Sequence, residues 1–216
     1  SIPGVAQRTG ATTYYVEICP LADEVLSGLH PVFSLNPVPG AIDLLVSSEL
    51  LETVRQVGLG MASGERTMVL SSSARALTVA EKMQMADGRL DAAALLATLQ
   101  RHSRASEVFD MTAQAREAGT VISAVMLGAI AASGVLPFAR DAYEATIRAA
   151  GRGVEASLRG FALGFEAVQQ RLRQQEVLRF VAAPAAAPPA PFAPKLPAGW
   201  QQRFPAPLHP LVALAG

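Results

Sequence analysis

Three short apolar runs alternate with helical patterns between residues 43 and 111, and this order limits the fold more than any other feature of the chain. AIDLLVSS (41–48), TMVLSSS (67–73) and SEVFDM (106–111) have the composition of strands. Between them, ELLETVRQVG (49–58) and DGRLDAAALLATLQRHS (87–103) carry apolar residues at helical spacing. Strands that alternate with helices form a largely parallel sheet covered on both faces. The sequence therefore predicts a three-layer α/β/α fold.

Two further strands are predicted ahead of this alternation. TTYYVEI (12–18) and PVFSL (31–35) are rich in β-branched and aromatic residues, and we expect them to pair antiparallel at one edge of the sheet. The complete sheet would then be mixed, although mostly parallel. For the helices, Ser47 or Ser48 is the expected N-cap of the first and Asp91 that of the second.

The C-terminal half is almost entirely helical up to residue 180, where the composition changes. We expect residues 1–180 to form one domain and the proline- and alanine-rich residues 181–199 to form a linker, because proline lacks the backbone donor that helices need. Residues 200–216 are apolar again and would either dock on the domain or begin a further region. The last predicted helix has an apolar stripe formed by Val154, Leu158, Phe161, Phe165, Val168 and Leu172.

An uncharged stretch, residues 121–138, has nearly the length of a membrane span. Gly134 and Pro137 interrupt it, and charged residues follow directly, so we predict a helix buried in a protein core rather than one in a bilayer. The 18 basic and 18 acidic residues cancel and form no block of one sign. This balance argues against partners such as nucleic acid or an anionic membrane.

The reactive side chains are few. Cys19 is the single cysteine, so the chain can form no internal disulfide and cannot ligate an iron–sulfur cluster by itself. It stands beside Pro20, and we interpret it as a structural thiol in a cytoplasmic protein. The histidines at 30, 102 and 209 do not have the spacing of metal ligands.

Serines at the end of the second run are the best candidates for a binding site. Ligands of open α/β sheets gather beyond the carboxyl ends of the strands, where Ser71, Ser72 and Ser73 are expected. A serine nucleophile needs a base, and no histidine is near in sequence, so helix capping and loop hydrogen bonds are the competing roles. GLGMASG (58–64) resembles a phosphate loop in composition, but it follows a helix and precedes a strand, which is the wrong order. Asp110 is interpreted as a helix cap.

Several blocks in colinear order resemble one enzyme family. GVAQRTGATTYYVEI (4–18), DLLVSSELLE (43–52), TVAEKMQMADGRLD (78–91), FDMTAQAREAGTVISAVMLGAIAASGVLP (109–137) and VEASLRGFALGF (154–165) are similar to the gamma-type domain of 2-oxoacid:ferredoxin (pyruvate/ketoisovalerate) oxidoreductases. Within this family they are most similar to beta subunits of indolepyruvate oxidoreductases. The resemblance covers roughly residues 1–168.

The resemblance implies a supporting role in CoA-dependent oxidative decarboxylation of a 2-oxo acid. Thiamine diphosphate and iron–sulfur clusters would belong to a large partner subunit that passes electrons to ferredoxin, and this chain would hold no cofactor and no catalytic residue. It would pack against that subunit, near the coenzyme A entrance. Arg8, Thr9 and Gly10 correspond to an Arg-Gly-Gly pattern of the family, and with Ser71 and Ser72 they are the predicted substrate or partner contacts. A loop-bracing role for Arg8 is the alternative.

The resemblance also implies that a first strand, a glycine-rich turn and a helix would precede Arg8, so we expect an N-terminally incomplete domain. The 2-oxo acid and the oligomeric state, including a homodimer, are left open. A different class of function, a standalone α/β module that binds a small ligand or regulates, is the alternative hypothesis.

Overall fold

The computed structural model describes residues 13–74 and 91–182, and the surroundings of side chains as far as residue 176. Contacts divide the chain into two units, Ser1–Arg173 and Gln174–Gly216, so the predicted boundaries at residues 180 and 199 remain predictions. The strands of the described part are β1 (Leu44–Ser47), β2 (Met68–Ser72) and β3 (Ala105–Phe109). Its helices are α1 (Asp23–Leu26), α2 (Leu50–Gly58), α3 (Ala92–His102), α4 (Met111–Ala118), α5 (Ile122–Ser133), α6 (Arg140–Ala149) and α7 (Val154–Ala182).

The described strands form one parallel sheet in the order β1-β2-β3. Val69 at the centre of β2 pairs with Leu45 on one side and with Ser106 on the other. All five residues of β2 are buried, because this strand has a neighbour on each side and helices on both faces. Burial of side chains such as Leu70, which is completely inaccessible to solvent, stabilises the fold by about 2 kcal/mol each.

Helices cover both faces of the sheet, which confirms the predicted α/β/α layers. On one face, Leu50 and Val57 of α2 and Leu95 and Leu99 of α3 form a buried cluster. On the opposite face the strands pack against α4, α5 and α7. The buried residues of this second cluster are Met68, Leu70, Phe109, Met111, Ala115, Val125, Ala129, Ala132 and Val168.

Helix termini agree with the sequence except at α2. Asp91 caps α3 by accepting a hydrogen bond of 3.0 Å from Ala93 N, as predicted. The predicted cap of α2 was wrong, since Glu49 occupies that position and accepts a bond of 2.7 Å from Glu52 N. Ser47 accepts instead from Glu49 N, at 3.2 Å, and so stabilises the turn that leads into the helix.

The uncharged stretch forms α5, and its small residues lie against α7. Gly134 ends the helix in a left-handed conformation with φ of 65°, and half of the helix is buried or contacts α7 and α6, as predicted for a core helix. None of the described helices is by itself long and apolar enough to cross a bilayer. Only α4 and α5 taken together reach that length and composition, and they are bent by 115°.

The apolar stripe of α7 is confirmed. Phe161 and Val168 are fully buried, and Leu158, Phe165 and Leu172 pack against the clusters around them. Helix α6 covers the other side of Phe161 with Tyr143, whose ring centroid lies 6.3 Å away. One face of α7 therefore docks on the domain.

Residues 13–40, which we call the extended segment, differ from the prediction. The two expected strands at 12–18 and 31–35 were wrong over the residues that are described, where α1 is the regular element before β1. A strand requires a hydrogen-bonded neighbour, and the described residues provide none for this segment. One hydrogen bond links its two halves, from Ser34 N to Glu17 Oε2, at 2.8 Å. The described sheet is therefore parallel throughout.

Candidate functional site

The carboxyl ends of the three strands lie at one edge of the sheet. In the parallel register Ser47 pairs with Ser71, and Ser72 pairs with Phe109. Loops that follow the strands therefore converge at this edge, which is where ligands of open α/β sheets bind. We treat this edge as the candidate site.

Two buried hydroxyls meet below the edge. Thr53 Oγ1 of α2 lies 2.6 Å from Ser71 Oγ of β2, and both side chains are fully buried. Thr53 Oγ1 also lies 2.8 Å from the carbonyl oxygen of Glu49, and Ser71 Oγ lies 3.0 Å from that of Ser72. The two hydroxyl protons serve three oxygen contacts, so the pair forms a short chain between two backbone carbonyls.

This chain gives Ser71 a structural environment rather than that of an activated nucleophile. Its described partners are a hydroxyl and a carbonyl oxygen, and neither is a base that could remove the serine proton. Burying a hydroxyl is tolerated when it is hydrogen-bonded, as both are here. Thr53 was not identified from the sequence, because an apolar stripe of α2 gives no sign that a hydroxyl within it faces β2.

Ser72 organises the loop that follows β2. Its fully buried hydroxyl accepts a bond of 3.2 Å from Ala74 N. Ser73 N donates to the carbonyl of Phe109, and the carbonyl of Ala74 accepts from Leu50 N, each at 2.9 Å. Residues 73 and 74 therefore connect the end of β3 with the first turn of α2.

Carboxylates occupy both helix N-termini at this edge. Glu49 accepts from the first turn of α2, and Asp110 accepts a bond of 2.8 Å from Ala113 N in the first turn of α4, which confirms its predicted role. Free N–H groups at such termini are what makes a helix end bind phosphate. Because acidic side chains already accept these bonds, the two helices offer a phosphate group little attraction.

A buried carboxylate lies behind the site, on the α7 side of the sheet. Glu107 of β3 is 2 % exposed, and its Oε2 lies 3.9 Å from Nη1 of Arg171. The Arg171 guanidinium also lies over the ring of Phe109, 5.7 Å from its centroid. We predicted Arg171 to be part of a solvated helix end; its side chain is 44 % exposed but contacts the sheet. Alternation along β3 places Glu107 on the face of Phe109, and this was the signal that could have identified it.

The predicted site residues divide into two groups. Ser71 and Ser72 lie side by side at the end of β2, inside the domain. Arg8, Thr9 and Gly10 lie outside the described residues, so no geometry relates them to the serines. Within residues 13–74 and 91–182, no group of three or more His, Cys, Asp or Glu side chains could hold a metal ion. Cys19 is a half-buried free thiol.

Comparison with known proteins gives one family. A family model described as pyruvate ferredoxin/flavodoxin oxidoreductase matches residues 2–167, well over half of the chain. This extent agrees with the stretch over which the sequence blocks resemble that family. No curated protein and no solved structure matches the chain.

Proposed function

Because this chain belongs to the pyruvate ferredoxin/flavodoxin oxidoreductase family, we propose that it is the non-catalytic, gamma-type subunit or domain of an indolepyruvate or aryl-pyruvate:ferredoxin oxidoreductase. In this role it supports CoA-dependent oxidative decarboxylation of a 2-oxo acid in the cytoplasm. The match to residues 2–167 is the observation that carries the proposal at the level of the family. The aryl-pyruvate substrate rests on the resemblance of the sequence blocks alone.

The donor set of this chain does not suit the cofactors that such chemistry needs. Iron–sulfur clusters are held by several cysteine thiolates, and the sequence has one cysteine. Thiamine diphosphate needs a place for its diphosphate and a divalent cation, whereas the helix N-termini at the sheet edge are capped by Glu49 and Asp110. We therefore assign thiamine diphosphate and the clusters to a large partner subunit, which also delivers electrons to ferredoxin.

The chain would contribute contacts to that subunit. We keep Arg8, Thr9 and Gly10 as the proposed contacts near the coenzyme A entrance, since a guanidinium can hold a carboxylate or phosphate with two parallel hydrogen bonds. Ser71 and Ser72 would act indirectly, because their side chains are buried and hold the β2 loop in place. A partner would contact the loop rather than the hydroxyls.

Reconstitution tests this proposal. The chain is expressed with the thiamine-binding large subunit, and indolepyruvate-dependent reduction of a viologen dye is measured with coenzyme A present. We expect activity from the pair, a large loss without this chain, and none from this chain alone. Unchanged dye reduction without the chain, or turnover by the purified chain with added thiamine diphosphate, would contradict the proposal. Pyruvate and 2-oxoisovalerate serve as comparison substrates for the aryl preference.

The alternative, a standalone ligand-binding module, was suggested by the serines at the end of β2. Their hydroxyls are buried and hydrogen-bonded, so they give this alternative no further support. Titration calorimetry of the isolated chain with nucleotides and coenzyme A tests it directly. Tight binding without any partner would favour the module.

A further inference from the structure

We propose that the extended segment, residues 13–40, is the surface through which this chain docks onto its large partner subunit, and that the partner presents an apolar face bordered by lysine and arginine side chains. The inference rests on the proposed function and deepens it, because it names the contact surface and the chemistry of its counterpart. Exposure, the lack of internal contacts and charge each support it.

The extended segment exposes far more apolar surface than the rest of the described chain. Ten of the thirteen large apolar side chains that are exposed in the described residues lie between Tyr14 and Val38. The most exposed are Val32 (94 %), Leu35 (87 %), Val16 (73 %) and Tyr14 (71 %). Isolated exposed apolar residues are common, but such a concentration in one stretch marks an interaction surface.

The segment contributes nothing to the described core. None of the described residues from 13 to 40 is buried, whereas every residue of β2 is. The bond from Ser34 N to Glu17 Oε2 holds its two halves together, and Gly40 N donates to the carbonyl of Gly60 to attach its end to the domain. These anchors present the apolar side chains without covering them.

Charge selects the kind of occupant. The charged residues of the segment are Glu17, Asp23 and Glu24, all exposed, and its sequence contains neither lysine nor arginine. A second copy docked through the same surface would bring these carboxylates towards each other, since a two-fold contact joins identical patches. Anionic lipid head groups would be repelled in the same way. A protein face with basic side chains at its border satisfies both the apolar and the acidic parts.

Paired substitutions test the surface in the full-length chain. Val32→Glu with Leu35→Glu places charge on two side chains that already face solvent, so folding should be unaffected; circular dichroism checks this. Leu59→Glu is the matched control, because Leu59 is 55 % exposed and lies outside the segment. Binding to the large subunit is measured by biolayer interferometry. We expect the double variant to bind about tenfold more weakly or worse, and the control to bind as the parent does.

Two further measurements identify the occupant. Asp23→Asn with Glu24→Gln should slow association and reduce its dependence on salt, because the acids no longer attract a basic border. Hydrogen exchange should show amides 14–38 protected in the complex and unprotected in the free chain. Protection in the free chain would mean that the protein covers its own segment, and loss of a homodimer in the double variant would mean that a second copy does; either result overturns the inference.

The outcomes separate this inference from the proposed function. If the parent chain and the Val32→Glu, Leu35→Glu variant bind the large subunit equally well, the docking surface is refuted and the subunit role stands. If the parent chain does not bind the large subunit, both the subunit role and the docking surface are refuted.

Discussion

Gly128 of α5 and Phe161 of α7 are in backbone contact. A Cβ atom on Gly128 would lie 2.8 Å from the carbonyl carbon of Phe161, still closer to its oxygen, and 2.9 Å from Phe165 N. The relation is reciprocal one turn further on, where a Cβ on Gly164 would lie 2.9 Å from the carbonyl carbon of Val125. Two helices can approach this closely only where a side chain is missing, so these glycines set the position of α7 on the sheet.

Gly128→Ala should therefore lower the free energy of unfolding by about 3 kcal/mol or more, because the new methyl group can be accommodated only if the helices separate. Urea unfolding followed by circular dichroism measures the loss. Gly58→Ala is the matched control: Gly58 also lies in a helix, nothing is within 4 Å of its Cβ position, and alanine favours helix. We expect this control to gain roughly 0.5 kcal/mol. Equal unfolding midpoints for the two variants would contradict the described crossing.

The Thr53–Ser71 hydroxyl pair predicts non-additive substitutions. Thr53→Val and Ser71→Ala should each cost about 1 kcal/mol, because the remaining hydroxyl keeps a carbonyl acceptor, at Ser72 or at Glu49 respectively. The double variant should cost less than the sum of the two, since the bond between the hydroxyls is lost only once. A double-mutant cycle by urea unfolding measures the coupling. Strict additivity would show that the hydroxyls do not interact.

Arg171 should stabilise the domain through the buried Glu107. Arg171→Met retains much of the apolar stem and removes the charge, and we expect a loss of about 1 kcal/mol, moderated because the guanidinium is partly exposed. Arg173→Met serves as the control, since Arg173 is exposed and donates to Gln169 on its own helix. Thermal unfolding compares them. A control as destabilised as the test variant would refute the role of the carboxylate.

Acid should weaken the domain partly through Glu52. The hydrogen bond from Arg55, the main cause, and that from Gln56 hold the pKa of Glu52 below its ordinary value in the folded chain. Because the folded pKa lies below the unfolded one, this stabilisation is fully present above the unfolded pKa and is lost as the pH falls through the folded pKa. The half-exposed pair should contribute only a few tenths of a kcal/mol.

Urea unfolding at about pH 7 and at about pH 3 measures this contribution. Glu52→Gln should reduce the loss of stability on acidification, and Glu65→Gln, at an exposed position, should leave it unchanged. An identical acid response of the Glu52→Gln variant and the parent would contradict the prediction.

Local patterns predicted the elements that are decided by local physics. β1, β2 and β3, the cap at Asp91 and the stripe of α7 followed from apolar spacing and from side chains that bond nearby N–H groups. The strands predicted at 12–18 and 31–35 failed over the described residues because a strand depends on a neighbour, and β propensity does not reveal whether one is present.

The candidate site was predicted less completely for a related reason. Ser71 and Ser72 were found from their position at a strand end, but their partner Thr53 is eighteen residues away and meets Ser71 only after α2 folds onto β2. Glu107 and Arg171 are joined in the same way across the fold. Contacts between distant parts of the chain depend on register and helix position, which single-sequence patterns do not determine.

The parallel order of the sheet has a consequence for how the chain folds. Val69 must find Leu45, 24 residues before it, and Ser106, 37 residues after it, so neither pairing can form by closing a short turn. Closing such loops costs chain entropy before any strand contact compensates for it, and folding rates fall as these separations grow. The helical pair α4 and α5 can assemble locally in the meantime. On a ribosome, β1 and β2 emerge before β3 and must wait for it with one side of the central strand unpaired, which makes this interval the moment of greatest risk of aggregation.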